Sequence, residues 1–86
     1  MNHRANPRFW AGFQALPDAM QRLARKNYQL LRQNPRHPSL HFKEVKARLW
    51  SVRVGESHRA LAAFDGTTFV WFWIGGHDEY ERLLRS

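Results

Sequence analysis

The sequence predicts an α+β fold, in which two N-terminal helices pack on a twisted antiparallel sheet of three to four strands and a short C-terminal helix follows. Two patterns support this prediction. Apolar residues recur at helical spacing through residues 9–31, whereas residues 49–74 alternate with period two and are interrupted by turn residues. Because 86 residues suffice for one domain only, we expect residues 1–86 to form a single domain.

The first helix is predicted to begin at Asn6-Pro7, since Asn caps helices and Pro fits the first turn. Pro17 disfavours helical geometry in the preceding residue, so this helix should end or bend at Leu16. Pro17-Asp18 opens a second helix, and the prolines within residues 34–38 end it. Residues 1–6 are polar, and we expect them to be frayed. The predicted helix faces comprise Phe9, Trp10, Phe13, Leu16, Met20, Leu23, Ala24, Asn27, Leu30 and Leu31.

Three antiparallel strands are predicted next, and Ser39–Val45 could add a short edge strand. In Leu49–Val54 the apolar residues share one face, while Ser51 and Arg53 share the other. A short turn at residues 55–57 leads to His58–Phe64, and Asp65-Gly66 signals a hairpin.

The third strand, Thr67–Ile74, is apolar on both faces and is therefore predicted to be central and covered twice. Alternation places Phe69, Trp71 and Trp73 on one face. The helical pair should cover one side of the sheet, and the C-terminal segment, a partner or a ligand the other. Gly75-Gly76 is predicted to end the strand, and residues 77–85 to form a short helix.

The composition indicates a polyanionic partner. Fourteen Lys and Arg against seven Asp and Glu give a net charge of +7, which favours nucleic acid or an acidic protein over a merely soluble basic domain. The sequence contains no cysteine, no apolar run long enough to span a membrane and no apolar N-terminal signal segment. We therefore expect a soluble, cytoplasmic protein that does not associate with membranes.

Arg53 and Arg59 are the first candidates for chemistry. An arginine among apolar strand residues is expensive to bury unpaired, so it faces solvent, an acidic partner or an anionic ligand. Across the Gly55 turn the two guanidinium groups could converge on one phosphate. The alternative is an ion pair with Glu44, Glu56 or Asp78 on a solvated face.

His77 and Tyr80 follow the glycine pair. A histidine can give or take a proton near neutral pH, although His77 could equally be a helix-terminal residue. Tyr80 lies on the same helical face and could orient a substrate, stack on a base or pack against the sheet. The period-two tryptophans favour a core role over base stacking. The other histidines show no metal-ligand spacing, so neither a metal site nor a cofactor is predicted; they are His3, His37, His41 and His58.

Several segments resemble the RelE/ParE superfamily of toxins from bacterial type II toxin–antitoxin systems. They are FQALPDAMQRLARKNYQLLRQNP, HPSLHFK, WSVRVGESHRAL, FVWFWI and GGHDEYERLL, and the pattern W-S-x-R-[IV]-x-E-x-H-R is most similar to YoeB-like members. The resemblance covers nearly the whole chain. It implies a compact α+β fold with two N-terminal helices on a twisted antiparallel sheet.

The resemblance also implies a function. RelE and YoeB types cleave mRNA in the ribosomal A site, where the ribose 2′-OH attacks the adjacent phosphate without a metal. In that comparison Arg59 stabilises the phosphate, Arg53 is a second basic residue, His77 is the general acid and Tyr80 matches a terminal tyrosine. We expect these four residues to be catalytic. The predicted RNA-binding residues are Lys43, Lys46, Arg48, Arg53 and Arg59.

The sequence departs from the family in three places. The usual first strand is not evident, Ser39 lies near the position of a catalytic carboxylate, and Ser51 replaces one lysine of the RelE pair. Without a general base, two alternatives stay open: a ParE-like inhibitor of DNA gyrase, and a non-catalytic member that binds only antitoxin or RNA. In every case an acidic antitoxin is an expected partner, and the protein could form a homodimer or a heterotetramer with the antitoxin. The other expected partners are mRNA and the ribosome or, in the alternative, DNA gyrase.

Overall fold

The computed structural model describes residues 2–85, which form a five-stranded sheet, two helices between its first and second strands, and a C-terminal helix. None of the helices in this range is both long and apolar enough to cross a membrane. A short 3-10 helix, Pro38–Leu40, precedes the second strand. The elements are β1 (Asn2–Ala5), α1 (Pro7–Gln14), α2 (Asp18–Gln33), β2 (Lys43–Lys46), β3 (Leu49–Val54), β4 (His58–Phe64), β5 (Thr68–Gly76) and α3 (His77–Arg85).

The helical hairpin begins and ends where its capping residues predict. The Asn6 side chain accepts a hydrogen bond of 3.0 Å from the Phe9 amide, and Pro7 occupies the first helical position. Helix α2 starts directly after Pro17. Asn27, the polar member of its predicted inner face, donates its side-chain amide to the Arg53 carbonyl at 3.2 Å. This bond fixes α2 against β3 at Arg53, which is one of the two candidate arginines.

The sheet has the order β1-β5-β4-β3-β2. The pairs from β5 to β2 are antiparallel, whereas β1 runs parallel to β5. The predicted α+β fold, with two helices on a sheet and a short helix at the end, is confirmed. The sheet is mixed, however, and its strand count of five exceeds the predicted three to four.

Strand β1 corrects the expectation that residues 1–6 are frayed; of that range, Met1 lies outside the described residues. The backbone of residues 2–5 pairs with residues 68–71 of β5. The His3 ring stacks on Phe69 at 5.3 Å, and the Trp71 indole N–H donates to His3 Nδ1 at 3.0 Å. Burial is the main cause that lowers the pKa of His3. A four-residue edge strand held by backbone pairing and one aromatic stack has no apolar alternation by which a sequence could reveal it.

Strand β5 differs from its prediction in two ways. Gly75 and Gly76 do not end the strand, because they pair with Arg59 and His58 of β4. The pairing also shifts by one residue: Ala62 lies opposite Trp71 and Leu61 opposite Trp73, which leaves Phe72 as the extra residue of a β-bulge. The bulge reverses the alternation, so Trp73 lies on the opposite face from Trp71.

The sheet separates two cores, one on each of its faces. The helix-facing core is covered by α1 and α2, and its buried members are Phe13, Leu31, Leu40, Val52, Val54, Ala60, Ala62, Phe69, Trp71 and Ile74. The smaller core consists of Leu61, Trp73 and Tyr80, with Leu83 and Leu84 packed against it. Helix α3 is therefore the second cover of the central strand.

Gly75 is predicted to tolerate no side chain, whereas its neighbour should. A Cβ at Gly75 would lie 2.6 Å from the ring of the buried Trp73, while a Cβ at Gly76 meets nothing within 4 Å. We expect Gly75→Ala to lower the free energy of unfolding by about 1–3 kcal/mol through overpacking. Gly76→Ala should leave it unchanged or slightly raised. Urea unfolding of both variants checks this, and equal stabilities would contradict the packing described for Trp73.

Candidate functional site

Arg53 and Arg59 lie directly opposite each other on β3 and β4. Opposed residues of an antiparallel pair point to the same face with Cβ atoms about 5 Å apart. Their face is the one covered by α3, because the adjacent pair Val52 and Ala60 lies in the helix-facing core. The next position across the sheet is Gly75 of β5, over which the Trp73 ring packs. The predicted convergence of the two guanidinium groups is thus built into the strand register.

The arginine pair forms no ion pair with a carboxylate in the described part of the chain, although Glu81 acts electrostatically on Arg59. Within residues 2–85 neither arginine forms an ion pair with Glu44, Glu56 or Asp78, so the predicted alternative of a neutralised surface pair is not realised. Burial, and then the charge of Arg53, lowers the pKa of Arg59. The Arg53 Nε atom is buried without a hydrogen-bond partner, and Arg59 Nη1 donates to the His58 carbonyl at 2.8 Å. Two cations held side by side with unused donors have the chemistry to bind an anion.

His77 begins α3 beside the arginines. Its backbone N–H donates to the Ser57 carbonyl at 2.9 Å, which ties the helix start to the β3–β4 turn. Its Nε2 atom lies 3.2 Å from Glu81 Oε1, one helical turn further on. Glu81 was not among the predicted residues, although the spacing His-x-x-x-Glu is the pattern that brings two side chains together on a helix. The carboxylate orients the imidazole.

Tyr80 packs against the sheet beneath the arginines. Its side chain is 7% exposed, and its hydroxyl donates to Ser51 Oγ at 3.1 Å. Its ring centre lies 5.8 Å from the guanidinium carbon of Arg59, within range of a cation–π contact. Of the alternatives predicted for Tyr80, the structure shows packing against the sheet. A catalytic role for Tyr80 stays a prediction.

These side chains surround an open cleft of about 510 Å³ between α3 and the β2–β3 edge. The cleft contains the four predicted catalytic residues Arg53, Arg59, His77 and Tyr80. It also contains Lys43, a further predicted RNA-binding residue. Lys46 and Arg48 do not line it; Arg48 lies in the β2–β3 turn, where its amide donates to Glu44 Oε2 at 2.9 Å. The remaining lining residues are His41, Glu44, Val45, Ser51, Glu81 and Leu84.

His41 was missed as a site residue. It follows the 3-10 helix with a left-handed backbone, φ 45°, which is uncommon for a residue other than glycine. No local sequence pattern reveals it, because its place depends on the register of β2, in which Lys43 pairs with Ser51.

A helical hairpin on a five-stranded mixed sheet, with a basic cleft under a C-terminal helix, defines a small toxin fold of the RelE/ParE superfamily. The family model described as "ParE-like toxin domain" matches residues 18–82. The chain therefore belongs to the ParE-like toxin domain family. The sequence has no match among curated proteins.

Solved structures with the same fold include three toxins of low sequence identity. The RelB–RelE antitoxin–toxin complex from Methanococcus jannaschii has a TM-score of 0.72 at 12% identity, over 93% of this chain and 96% of that one. The YoeB/ParE toxin from Agrobacterium tumefaciens has a TM-score of 0.69 at 16% identity, over 90% and 99%. The archaeal RelE–RelB complex from Pyrococcus horikoshii OT3 has a TM-score of 0.63 at 15% identity, over 87% and 92%.

The hydrogen bond between Tyr80 and Ser51 is predicted to stabilise the floor of the cleft. Tyr80→Phe leaves the buried Ser51 hydroxyl without this partner, so the free energy of unfolding should fall by about 1 kcal/mol. Ser51→Ala should cost a similar amount. Because both changes remove one bond, the double variant should be destabilised by clearly less than the sum. Urea unfolding of the four proteins measures this coupling, and strict additivity would show that the bond contributes nothing.

Proposed function

We propose that this protein is the toxin of a type II toxin–antitoxin system and that it is a metal-independent endoribonuclease that cleaves mRNA on the ribosome. The observation that carries the proposal is the arginine pair: two cations that form no ion pair with a carboxylate within residues 2–85, beside a histidine, in one open cleft. Membership of a toxin family supports the first half of the proposal. Translating ribosomes place the reaction in the cytoplasm.

The reaction follows from the chemistry of the cleft. The nucleophile is the ribose 2′-OH of the RNA itself, so the protein has to supply charge stabilisation and proton transfer. Arg53 and Arg59 hold the phosphate and offset the charge that develops on its oxygens. His77, oriented by Glu81, gives its proton to the departing 5′-oxygen. Lys43 in the cleft, with Lys46 and Arg48 on the adjoining strand and turn, guides the RNA backbone.

An acidic antitoxin fits a second feature of the surface. Two of the solved structures above are complexes of a RelE toxin with a RelB antitoxin. In this chain a groove of about 480 Å³ between the helical hairpin and the sheet has apolar walls and three arginines, Arg4, Arg25 and Arg32, and its described lining residues include no carboxylate. Trp10 and Tyr28 also line it and are 44% and 41% exposed. An acidic segment with apolar side chains complements this groove.

The match to a ParE-like toxin domain favours one other candidate, a gyrase inhibitor. Such a protein needs the fold without the proton-transfer residues. The oriented His77 beside an arginine pair is unexplained under that alternative, and for this reason we prefer the nuclease. DNA breaks with intact mRNA after expression would reverse the preference. Harmless expression without any antitoxin would instead favour a non-catalytic binding protein.

We predict that Arg59→Ala and His77→Ala each lower the cleavage rate at least about 100-fold and abolish growth arrest. The first change removes a charge that stabilises the transition state, and the second removes the general acid. Arg36→Ala, at an exposed position outside the cleft, is the matched control and should remain toxic. Growth after induction, with primer extension on a reporter mRNA, measures both effects. Circular dichroism confirms that each variant is folded, and full toxicity of both cleft variants would refute the assignment.

A further inference from the structure

A cleavage that starts from a 2′-OH needs a group to accept its proton, and the cleft residues described so far do not provide one. Arg53 and Arg59 are donors only, and His77 acts as the acid. Ser39, near the sequence position where a catalytic carboxylate was expected, does not line the cleft, and its Oγ contacts His37 Nδ1 at 2.8 Å. The base, which the proposed function requires, is therefore one of the other titratable side chains of the cleft.

Four of these side chains do not serve as the base. The Tyr80 hydroxyl is buried and donates to Ser51 Oγ. Glu81 lies against His77. Glu44 pairs with Trp50, whose side chain packs against the helix-facing core, and its carboxylate accepts the Arg48 amide in the turn. Lys43 is a lysine, and an ammonium group has no lone pair with which to accept a proton. His41 remains, with an exposed imidazole that no described residue engages through a hydrogen bond or an ion pair.

The sheet places His41 across the arginine pair from His77. Reading along one row of the sheet, Gly75 of β5 is followed by Arg59 of β4 and Arg53 of β3. The pairing of β2 begins at Lys43, opposite Ser51, and His41 lies two residues before Lys43, where it lines the cleft together with Arg53. His77 follows β5 at the other end. Three strand intervals of about 4.8 Å separate the backbones of β5 and β2 by about 14 Å, which leaves space for a phosphodiester between the two histidines that line the cleft.

The backbone conformation of His41 is independent support for a role in the cleft. Its left-handed conformation, at the junction of the 3-10 helix and the approach to β2, is a strained one for histidine. Such strain concentrates where a side chain has to be aimed at a site. A residue that served only to connect two elements would gain from being glycine here.

We infer that His41 is the general base of the cleavage and that it works opposite His77. The neutral imidazole of His41 takes the proton from the 2′-OH as the O2′–P bond forms. The P–O5′ bond breaks, and the imidazolium of His77 gives its proton to O5′. The products are a 2′,3′-cyclic phosphate and a 5′-hydroxyl, and exchange with water returns the proton from His41 to His77. The charged and titratable groups that line the cleft with His41 are Lys43 and Glu44 from β2, Arg53 from β3, Arg59 from β4, and His77, Tyr80 and Glu81 from α3.

The test compares His41→Asn with His77→Ala in single-turnover cleavage of mRNA on programmed ribosomes. Asn tolerates the left-handed backbone, so the substitution removes the imidazole with little strain. We expect His41→Asn to lower the rate about 10²–10⁴-fold, with ribosome binding unchanged. It should also abolish the rise of the rate with pH on the acidic side of the profile. His37→Asn, a histidine outside the cleft whose capping acceptor the new side chain can replace, is the control and should cleave at the wild-type rate.

A modified substrate separates the two histidines. When sulfur replaces the 5′-bridging oxygen, the leaving thiolate needs no proton, so His77→Ala should regain most of its rate and His41→Asn should not. Recovery of both variants, or wild-type cleavage by His41→Asn on the normal substrate, would overturn the assignment of His41 while leaving the nuclease function intact. Absence of cleavage by the wild-type protein would instead refute the proposed function, and the base assignment with it.

Discussion

The site depends on one unfavourable arrangement: two arginines that the strand register holds opposite each other and that form no ion pair with a described carboxylate. Like charges held close together repel, and the repulsion is about four times stronger at the effective dielectric of a protein surface than in water. Arg53 and Arg59 bear this repulsion in the free protein, and burial adds to it at Arg59, whose pKa is lowered. A phosphate between them would turn the repulsion into attraction. The cleft is thus preorganised for an anion, and the rest of the fold supplies the energy that holds it so.

The supports of the arginine pair come from both sides of the sheet. On one side Asn27 of α2 binds the Arg53 carbonyl, and Val52 and Val54 anchor β3 in the helix-facing core. On the other side the Tyr80 hydroxyl donates to Ser51, which lies two residues before Arg53 and on the same face of β3. Helix α3 can cover this face because the bulge in β5 turns Trp73 toward it. The glycine beside Arg59 leaves room for the Trp73 ring at the end of the row. Scaffold and site therefore share their residues.

The sequence predicts the parts of this account that local patterns determine. Alternation along β3 places Arg53 on the face away from the helix-facing core. The short turn at residues 55–57 places Arg59 directly across from Arg53. Helix spacing brings His77 and Tyr80 together after β5. Strand β1 could not be predicted, because its polar residues are held by pairing with a strand more than 60 positions away. The bulge in β5 is likewise a property of two paired strands. His41 was missed because its place depends on the register of β2, which no local pattern of residues 39–46 determines.

The central claim, that Arg53 and Arg59 together form an anion site, is tested most directly by observing their side chains. Arginine Nε–H resonances report contact with an anion, and inorganic phosphate is the probe, titrated at constant ionic strength so that general screening does not change. The account predicts that the resonances of Arg53 and Arg59 shift together and saturate, while that of Arg36, outside the cleft, does not. Equal, unsaturable shifts at all three arginines, or none at the paired two, would contradict it.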